Sequence, residues 1–526
     1  MSSDNLFITK LQLCIQFNRS ANQSISDRSY WLNLGKSDLQ DALNTETIVA
    51  PAKNVILFVG DGMGPTTTTA SRIYSRGESG YLSFERFPHV GALKTYNADK
   101  WVPDSSSTAT ALFSGVKANY KTSGVDSSVK LDDCDASLRP EVRLEGLMRW
   151  AQESGRSTGF ATTTRVTHAT PSALYAHVPN RKWECESEIP QESRRCKDIA
   201  RQLVEDEPGR NINVVMGGGR QCLQSGVGDL QGDPVDTWAC YSKDGRDLVK
   251  DWEQDKKRRN KSYVTVKNNE ELDKVDPSTE FVLGIFANGH MSMDYARDKS
   301  PKGMPSLANM TQKGLDILAK NPRGYIFVVE GGLIDYAHHR GHARKALDET
   351  VSFSDAIQIA LEKTDPQETL IIVTSDHSHS LVFSGYASRD SNILDVAQPS
   401  VMDNVPYTSL LYGTGGPNNY QYSVVNSTVS RNDPSVNNTR DFEYSQQAVV
   451  LTDEVTHGGS DVLVYAKGPM AHLFHTVHEQ TYVAYVISYA AKIGPFKNGV
   501  PDTNPTSIIL TSCLFFSLLI RKSLYT

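Results

Sequence analysis

The chain has 526 residues, of which 39% are hydrophobic, and its 54 basic and 61 acidic side chains leave a net charge of −7. That length can bury a large core. The mildly acidic balance argues against a nucleic-acid-binding surface, so Lys256-Lys257-Arg258-Arg259 reads as a short solvated basic loop.

Residues 1–29 read as an amino-terminal extension; with Asp4, Lys10 and Arg19 and no sustained apolar core, they do not form a convincing secretory signal. Tyr30-Trp31 through Leu43 reads as an amphipathic helix within an arm spanning 30–50. The β-branched run Val55–Val59 then predicts a strand that ends on Gly60-Asp61-Gly62, where glycines let the backbone approach a cation or phosphate held by Asp61. No Gly-Lys-Ser/Thr follows, which excludes a Walker loop. Val102-Pro103-Asp104-Ser105 leads into a helix start rich in small hydroxyl residues. Its free N–H groups and positive dipole end suit an anion. Ser105 alone would be a helix cap; beside metal ions it becomes a candidate nucleophile.

Further along, Phe160–Pro171 places Thr162, Thr164, His168 and Thr170 after another strand-like run, and Arg181 follows. Val214–Met216, Phe281–Phe286, Tyr325–Val329 and Leu370–Val373 predict more strands, and Arg344–Leu361 a helix. This alternation implies an α/β fold: a doubly wound, mostly parallel sheet with helices on both faces, in one interrupted domain over 51–500. Just beyond two of the strands stand Glu330…Asp335-Tyr336-Ala337-His338-His339 and Asp376-His377-Ser378-His379, with His457 far downstream. The carboxyl edge of such a sheet is where ligands bind. Mixed Asp, Glu and His there suit divalent metals, which points to a metallo-hydrolase. Asp335 and His339, four apart, would face one metal from the same side of a short helix, while His338 and His379 sit beside the ligands as supporting or surface groups. Gly385–Val450 is rich in Asn, Ser, Pro, Gly and Tyr and predicts a loop-heavy region. No internal repeat is visible.

Taken together, Pro103-Asp104-Ser105-x-x-Thr108-Ala109-Thr110-Ala111 and the metal-ligand segments resemble the animal alkaline phosphatases, in one order from about Lys53 to Gly494. The resemblance implies hydrolysis of small phosphate monoesters through a phosphoserine at Ser105, with Arg181 clamping the phosphate. It implies one zinc on Asp335, His339 and His457 and a second on Asp376, His377 and Asp61. Asp61 would also bridge to a magnesium completed by Thr170 and Glu330, with His168 close by and near substrate. Region 385–450 would be a crown insertion over a homodimer interface, and the amino-terminal helix would embrace the partner subunit. Cys134–Cys196 matches a family disulfide; Cys222–Cys240 is a second candidate bridge and Cys185 has no obvious mate.

Two departures stand out. Tyr336 occupies the place after a zinc ligand where vertebrate relatives commonly have His, so it cannot offer the same charge to phosphate. Ala287 and Lys302 stand where those relatives use carboxylates for a structural calcium, which is therefore expected to be absent or altered. Sulfatases use a different nucleophile motif and diesterases usually a Thr nucleophile, so Asp104-Ser105 favours monoesters. A binding protein on an inactive scaffold is disfavoured because every inferred ligand is present.

Six Asn-x-Ser/Thr sequons, at Asn18, Asn22, Asn260, Asn309, Asn426 and Asn437, would accept glycans in a secretory protein, and seven cysteines fit an oxidising compartment without proving one. Residues 501–526 form a spacer and an apolar tail, Ser507–Ile520, too short for an ordinary span. With the small residues near Asn498-Gly499 it suits a glycosylphosphatidylinositol signal, which would put the protein on the extracellular face of the plasma membrane; Arg521 and Lys522 leave a tail anchor open.

Overall fold

Alternate residues of the strand Asn54–Gly60 (β1) enter two different hydrophobic cores, Val55, Leu57 and Val59 in one and Ile56 and Phe58 in the other. A strand with both faces covered must be apolar throughout, and this is why its sequence is a continuous run rather than an alternation. The computed structural model describes residues Asp27–Asp229 and Gly232–Gly499.

β1 belongs to a sheet of ten strands. The others are His89–Lys94 (β2), Ser157–Arg165 (β3), Val214–Gly218 (β4), Tyr263–Val266 (β5), Phe281–Ile285 (β6), Tyr325–Gly331 (β7), Thr369–Thr374 (β8), Val462–Lys467 and Thr476–Glu479. From one edge the order is Thr476–Glu479, β2, Val462–Lys467, β8, β1, β7, β3, β4, β6, β5. Only Val462–Lys467 runs against its neighbours, β8 and β2. The remaining pairings are parallel. The central quartet β8-β1-β7-β3 therefore ends on one side of the sheet, with Val59 opposite Glu330 and Thr374, and Glu330 opposite Thr162. The doubly wound α/β reading holds. Helix Ala343–Lys363 packs one core, burying Ala346, Phe353, Ile357 and Ala360, while Tyr482–Ala491 packs the other with Val483, Val486, Ile487 and Ala490.

Between Gly385 and Val450 the chain is less loop-like than its composition suggests. Leu410–Gly415 lies between Leu381–Phe383 and Ala448–Leu451, Val396–Pro399 pairs with Pro406–Thr408, and Tyr422–Val425 forms a hairpin with Thr428–Arg431. Leu394, Leu410, Tyr412 and Ala448 share a small core with Ala343 and Leu347, so this region has apolar anchoring of its own. Short strands joined by turn residues read as loop because each apolar run is only a few residues long.

A break at Thr47/Ile48 separates an amino-terminal unit from the body. That unit contains the expected helix, Arg28–Leu43, capped by Asp27, whose carboxylate accepts from Ser29 N at 2.9 Å. None of the residues of this helix is buried.

One disulfide is as expected, Cys134–Cys196, but the second joins Cys185 to Cys240 and leaves Cys222 as a buried thiol. The reason is local. The turn Glu186–Glu188 after Cys185 is tied to the strand of chain beyond Cys240: Ser187 Oγ donates to Tyr241 O at 2.9 Å, and the Glu186 carboxylate accepts from Lys243 N at 2.6 Å and Ser242 Oγ at 3.0 Å. Cys222 lies against the same cluster but turns its Sγ to Cys240 O at 3.4 Å and towards Glu184.

Among the described residues no helix is long and apolar enough to cross a membrane. Asn260, Asn309, Asn426 and Asn437 are all exposed. Asn18, Asn22, most of the amino-terminal extension and the apolar tail lie outside the described residues.

Candidate active site

Four neighbouring strands deliver the site. Asp61 follows β1, Thr162 to His168 close β3 and open the next turn, Glu330 ends β7, and Asp376-His377 follow β8. Asp335 and His339 ride one turn apart on the helix Leu333–His339 immediately after β7, and the His339 ring lies 3.3 Å from the Asp335 carboxylate. His457 reaches in from the short strand His457–Gly458, which pairs with Ser378–His379. His457 Nε2 is 3.0 Å from His339 Nε2 and 3.4 Å from Asp335 Oδ1, while its Nδ1 bonds Pro103 O at 2.8 Å, which fixes the ring. Two basic nitrogens and a carboxylate oxygen at such spacings are what a shared cation would bring together.

Ser105 opens the helix Ser105–Ser114 and is buried. Its Oγ is 3.1 Å from His377 Nε2 and 3.5 Å from Asp61 Oδ1. Asp104 caps this helix through Ser106 N at 3.2 Å and accepts further from Ser106 Oγ, Ser107 Oγ and Lys121 N. Its carboxylate also receives Arg181 Nη1 at 3.2 Å. Although burial opposes its ionisation, Arg181 and these donors hold Asp104 below the usual carboxylate range. One buried acid thus sets both the helix start that carries Ser105 and the guanidinium facing it. Arg181 Nη2 donates to His168 Nε2 at 3.2 Å.

The carboxylates repel. Burial first, then Asp376, Asp335 and Glu330, push Asp61 well above its ordinary range. Burial lifts Glu330 to about 7 against the hydrogen bond from Thr162, and Asp376 to about 6 with Asp335 adding to it. Asp335 goes the other way: burial is outweighed by His339 and His379, which hold it well below the carboxylate range. Asp61 Oδ2 and Glu330 Oε1 are buried without a hydrogen-bond partner in the protein. Buried anions without partners are costly unless a cation joins them. Three groups have metal-ligand spacing: Asp61, Asp376 and His377; Asp61, His168 and Glu330; and Asp335, His377, His379 and His457. Thr170 is buried on the turn after His168.

Asp61, Ser105, His168, Thr170, Arg181, Glu330, Asp335, His339, Asp376, His377 and His457 come together in this one region. His379, expected beside the ligands rather than among them, has its Nε2 2.5 Å from Asp335 Oδ1 and is itself one of the four residues at metal-ligand spacing, with Asp335, His377 and His457. His338 is not a surface group: it is fully buried between Tyr412 OH at 2.7 Å and Thr67 Oγ1 at 3.0 Å. The close fit demands Gly62, whose φ is +71° and where a Cβ would stand 2.7 Å from the His379 ring. Sequence reasoning missed a network that carries β3 into the site: Arg165 bonds Glu184 at 2.8 and 2.9 Å, Asp236 at 2.8 Å and His290 at 2.7 Å. The run Thr162-Thr163-Thr164-Arg165, a charge ending a buried strand, was its only signal.

The family model for alkaline phosphatase matches residues 52–493. The chain is 42% identical to the tissue-nonspecific isozymes of alkaline phosphatase from Gallus gallus and Homo sapiens, covering 89% of this chain in both cases and 90% and 89% of theirs. It is 37% identical to alkaline phosphatase 4 of Drosophila melanogaster, over 92% of this chain and 85% of that one. Among solved structures, those of the alkaline phosphatases from the Antarctic bacterium TAB5 and from Thermus thermophilus share its fold. Their TM-scores are 0.57 and 0.59 at 21% and 22% identity, covering 85% and 86% of this chain and 99% and 93% of theirs. With the family's nucleophile segment and its carboxylate and histidine groups gathered at one sheet edge, the chain belongs to the alkaline phosphatase family.

Proposed function

We propose that this phosphatase hydrolyses phosphate monoesters by way of a phosphoserine at Ser105, with two zinc ions and one magnesium ion. Asp335, His339 and His457 would hold one zinc, Asp376, His377 and Asp61 the other, and Asp61, Thr170 and Glu330 the magnesium, with His168 beside it. The observation that carries this reading is the pair of contacts from Ser105 Oγ to His377 Nε2 and Asp61 Oδ1, inside a nest of carboxylates that burial and mutual repulsion destabilise. Oxygen and nitrogen about 3 Å apart fit two ligands of one tetrahedral ion.

When bound, the metals supply positive charge at the entering and leaving oxygens and favour ionised oxygen nucleophiles near neutral pH. Ser105 Oγ attacks phosphorus in line, the O–P bond to the alcohol breaks as the Oγ–P bond forms, and the alcohol leaves. Water then displaces Ser105, giving inorganic phosphate and the free hydroxyl. Arg181 grips two non-bridging oxygens with its planar fork, which Lys cannot copy. Asp104 keeps that fork in place, and the amino end of the Ser105–Ser114 helix adds N–H groups towards the anion. Nothing in this scheme reads the alcohol, so a broad range of small monoesters follows.

The same reading leaves the family's calcium out or altered. Ala287 offers only a methyl group, Lys302 pairs with Glu270 at 2.9 Å, and Asn288 is engaged by Asp233. Cell-surface attachment through a lipid anchor, and a homodimer covered by the 385–450 region, complete the proposal. The test is release of alcohol from a chromogenic phosphate monoester across about pH 7 to 11. Activity should rise with pH, vanish with chelator and return only with zinc plus magnesium. Metal analysis of the purified protein should find zinc and magnesium without stoichiometric calcium. A zinc-loaded, folded protein that releases no alcohol would overturn the proposal.

A further inference from the structure

The rim of the site carries a cation that the reaction scheme does not use. Arg340 follows His339 directly. Its guanidinium carbon lies 3.3 Å from the centre of the Trp238 ring and 5.2 Å from that of Tyr336, and Nη2 reaches Tyr336 OH at 3.4 Å. Among the described residues no carboxylate forms an ion pair with it, whereas its neighbour His339 has both Asp335 and Glu454. Its Nε is buried and without a hydrogen-bond partner. Trp238 remains 61% exposed, a high value for so large an apolar ring. A guanidinium packed on aromatic rings keeps its orientation while its charge stays available to an anion.

This group connects to the phosphate site. The Tyr336 ring contacts His290 at 5.3 Å between centres, and His290 contacts His168 at 5.0 Å; His168 in turn bonds Arg181. On the other flank, Asp236 fixes Trp238 N at 2.9 Å and binds Arg165. The platform under Arg340 is therefore tied to the residues that frame the phosphate.

We propose that Arg340, stacked on Trp238 at the rim of the active site, binds a second negative charge carried by the leaving group, so that the enzyme favours phosphate monoesters of acidic alcohols, those bearing a carboxylate or another phosphate. The inference rests on the phosphatase reading of the site. Arg340 takes no part in breaking the P–O bond; it selects the alcohol that the rest of the site leaves unread.

The test compares kcat/KM for 4-carboxyphenyl phosphate with kcat/KM for phenyl phosphate, using the metal-loaded full chain, so that intrinsic reactivity cancels when the ratio is compared between variants. Arg340→Ala should lower the ratio about fivefold, chiefly through KM for the carboxylate ester, as expected for one partly exposed charge pair. Arg340→Lys should recover part of it, and Trp238→Ala should lower it because the guanidinium loses its support. In the unsubstituted enzyme the ratio should fall as ionic strength rises from about 20 to about 200 mM. A ratio unchanged in Arg340→Ala, or insensitive to salt in the unsubstituted enzyme, overturns the proposal. The salt series decides alone if the variants do not fold. Turnover of neither ester by the unsubstituted enzyme would instead sink the phosphatase reading itself.

Discussion

Ser105 Oγ stands 3.1 Å from His377 Nε2 and 3.5 Å from Asp61 Oδ1, at the buried start of a helix whose cap, Asp104, also holds Arg181. The His377 ring turns its Nδ1 to Ser378 O at 3.3 Å, and Asp376 approaches the same Nε2 that faces Ser105, so the pair lacks the Nδ1–carboxylate support of a serine-protease base. Activation of the Ser105 hydroxyl must come from charge gathered around it. Ser105→Ala should therefore lower kcat by about 10³-fold or more while leaving the fold intact. Acid quenching during turnover of a phosphate monoester, followed by peptide mass spectrometry, should find one phosphoryl group on the Ser105 peptide of the unsubstituted enzyme and none in the variant. A phosphoryl group on any other residue would sink the assignment.

Arg181 is mostly covered and makes two bonds that set its plane, one to Asp104 and one to His168. Arg181→Lys keeps the charge but loses the fork, so KM for a phosphate monoester and the inhibition constant for inorganic phosphate should both rise about tenfold. Asp104→Asn should act in the same direction through Arg181, with a smaller effect on kcat than Ser105→Ala. Steady-state kinetics with phosphate as competitive inhibitor check both variants. Equal affinity in Arg181→Lys would mean that charge alone, not geometry, binds the anion.

Legibility from sequence followed the range of the interactions. Asp61, Glu330 and Asp376 could be found because each ends a continuous apolar run, and a doubly covered strand leaves a polar residue only where it emerges. Asp335 and His339 could be found because helical spacing alone puts them on one face. The direction of the strand-like run at Val462–Lys467 could not: its apolar pattern is the same whichever way it runs, and its antiparallel place beside β8 is set by the whole sheet. Arg165, Glu184, Asp236 and His290 come from four separate segments and share no spacing, so their network appears only when the chain is folded. The second cysteine pairing failed for the same reason: Cys222 is 18 residues from Cys240 and Cys185 is 55, so nearness in sequence favours the wrong partner and only the contacts around Glu186 select the right one.

That pairing has a direct test. Alkylation without reduction, then digestion, should link Cys134 to Cys196 and Cys185 to Cys240, and should label Cys222 only after unfolding. Burial beside Glu184 pushes the Cys222 thiol well above its ordinary pKa, so it should resist alkylation in the native state. Cys185→Ser opens a long loop in the unfolded chain and should cost about 2–4 kcal/mol, whereas Cys222→Ala should cost only about 1 kcal/mol. Comparable losses in the two variants, or a Cys222–Cys240 peptide from the native protein, would count against the assigned bridge.

Glu349 offers a pH test away from the metal ligands. It sits on the helix Ala343–Lys363, is buried, and accepts from Asp294 N at 2.7 Å. Burial, reinforced by Asp294 and Asp348 and only partly offset by that N–H and Arg297, pushes its carboxyl up to about 8. The folded protein then keeps a proton that the unfolded chain releases near pH 4.5, so stability falls as pH rises from there to about 8. Glu349→Gln fixes a neutral group of nearly the same shape. It should change the melting temperature little near pH 4.5 and raise it relative to the unsubstituted enzyme by about 3 °C by pH 8, at constant metal load. Differential scanning calorimetry across this range measures the gap. A gap that stays constant with pH would show that Glu349 is ionised in the folded protein, and the Asp294 N–H with Arg297 would then be the dominant influence on it.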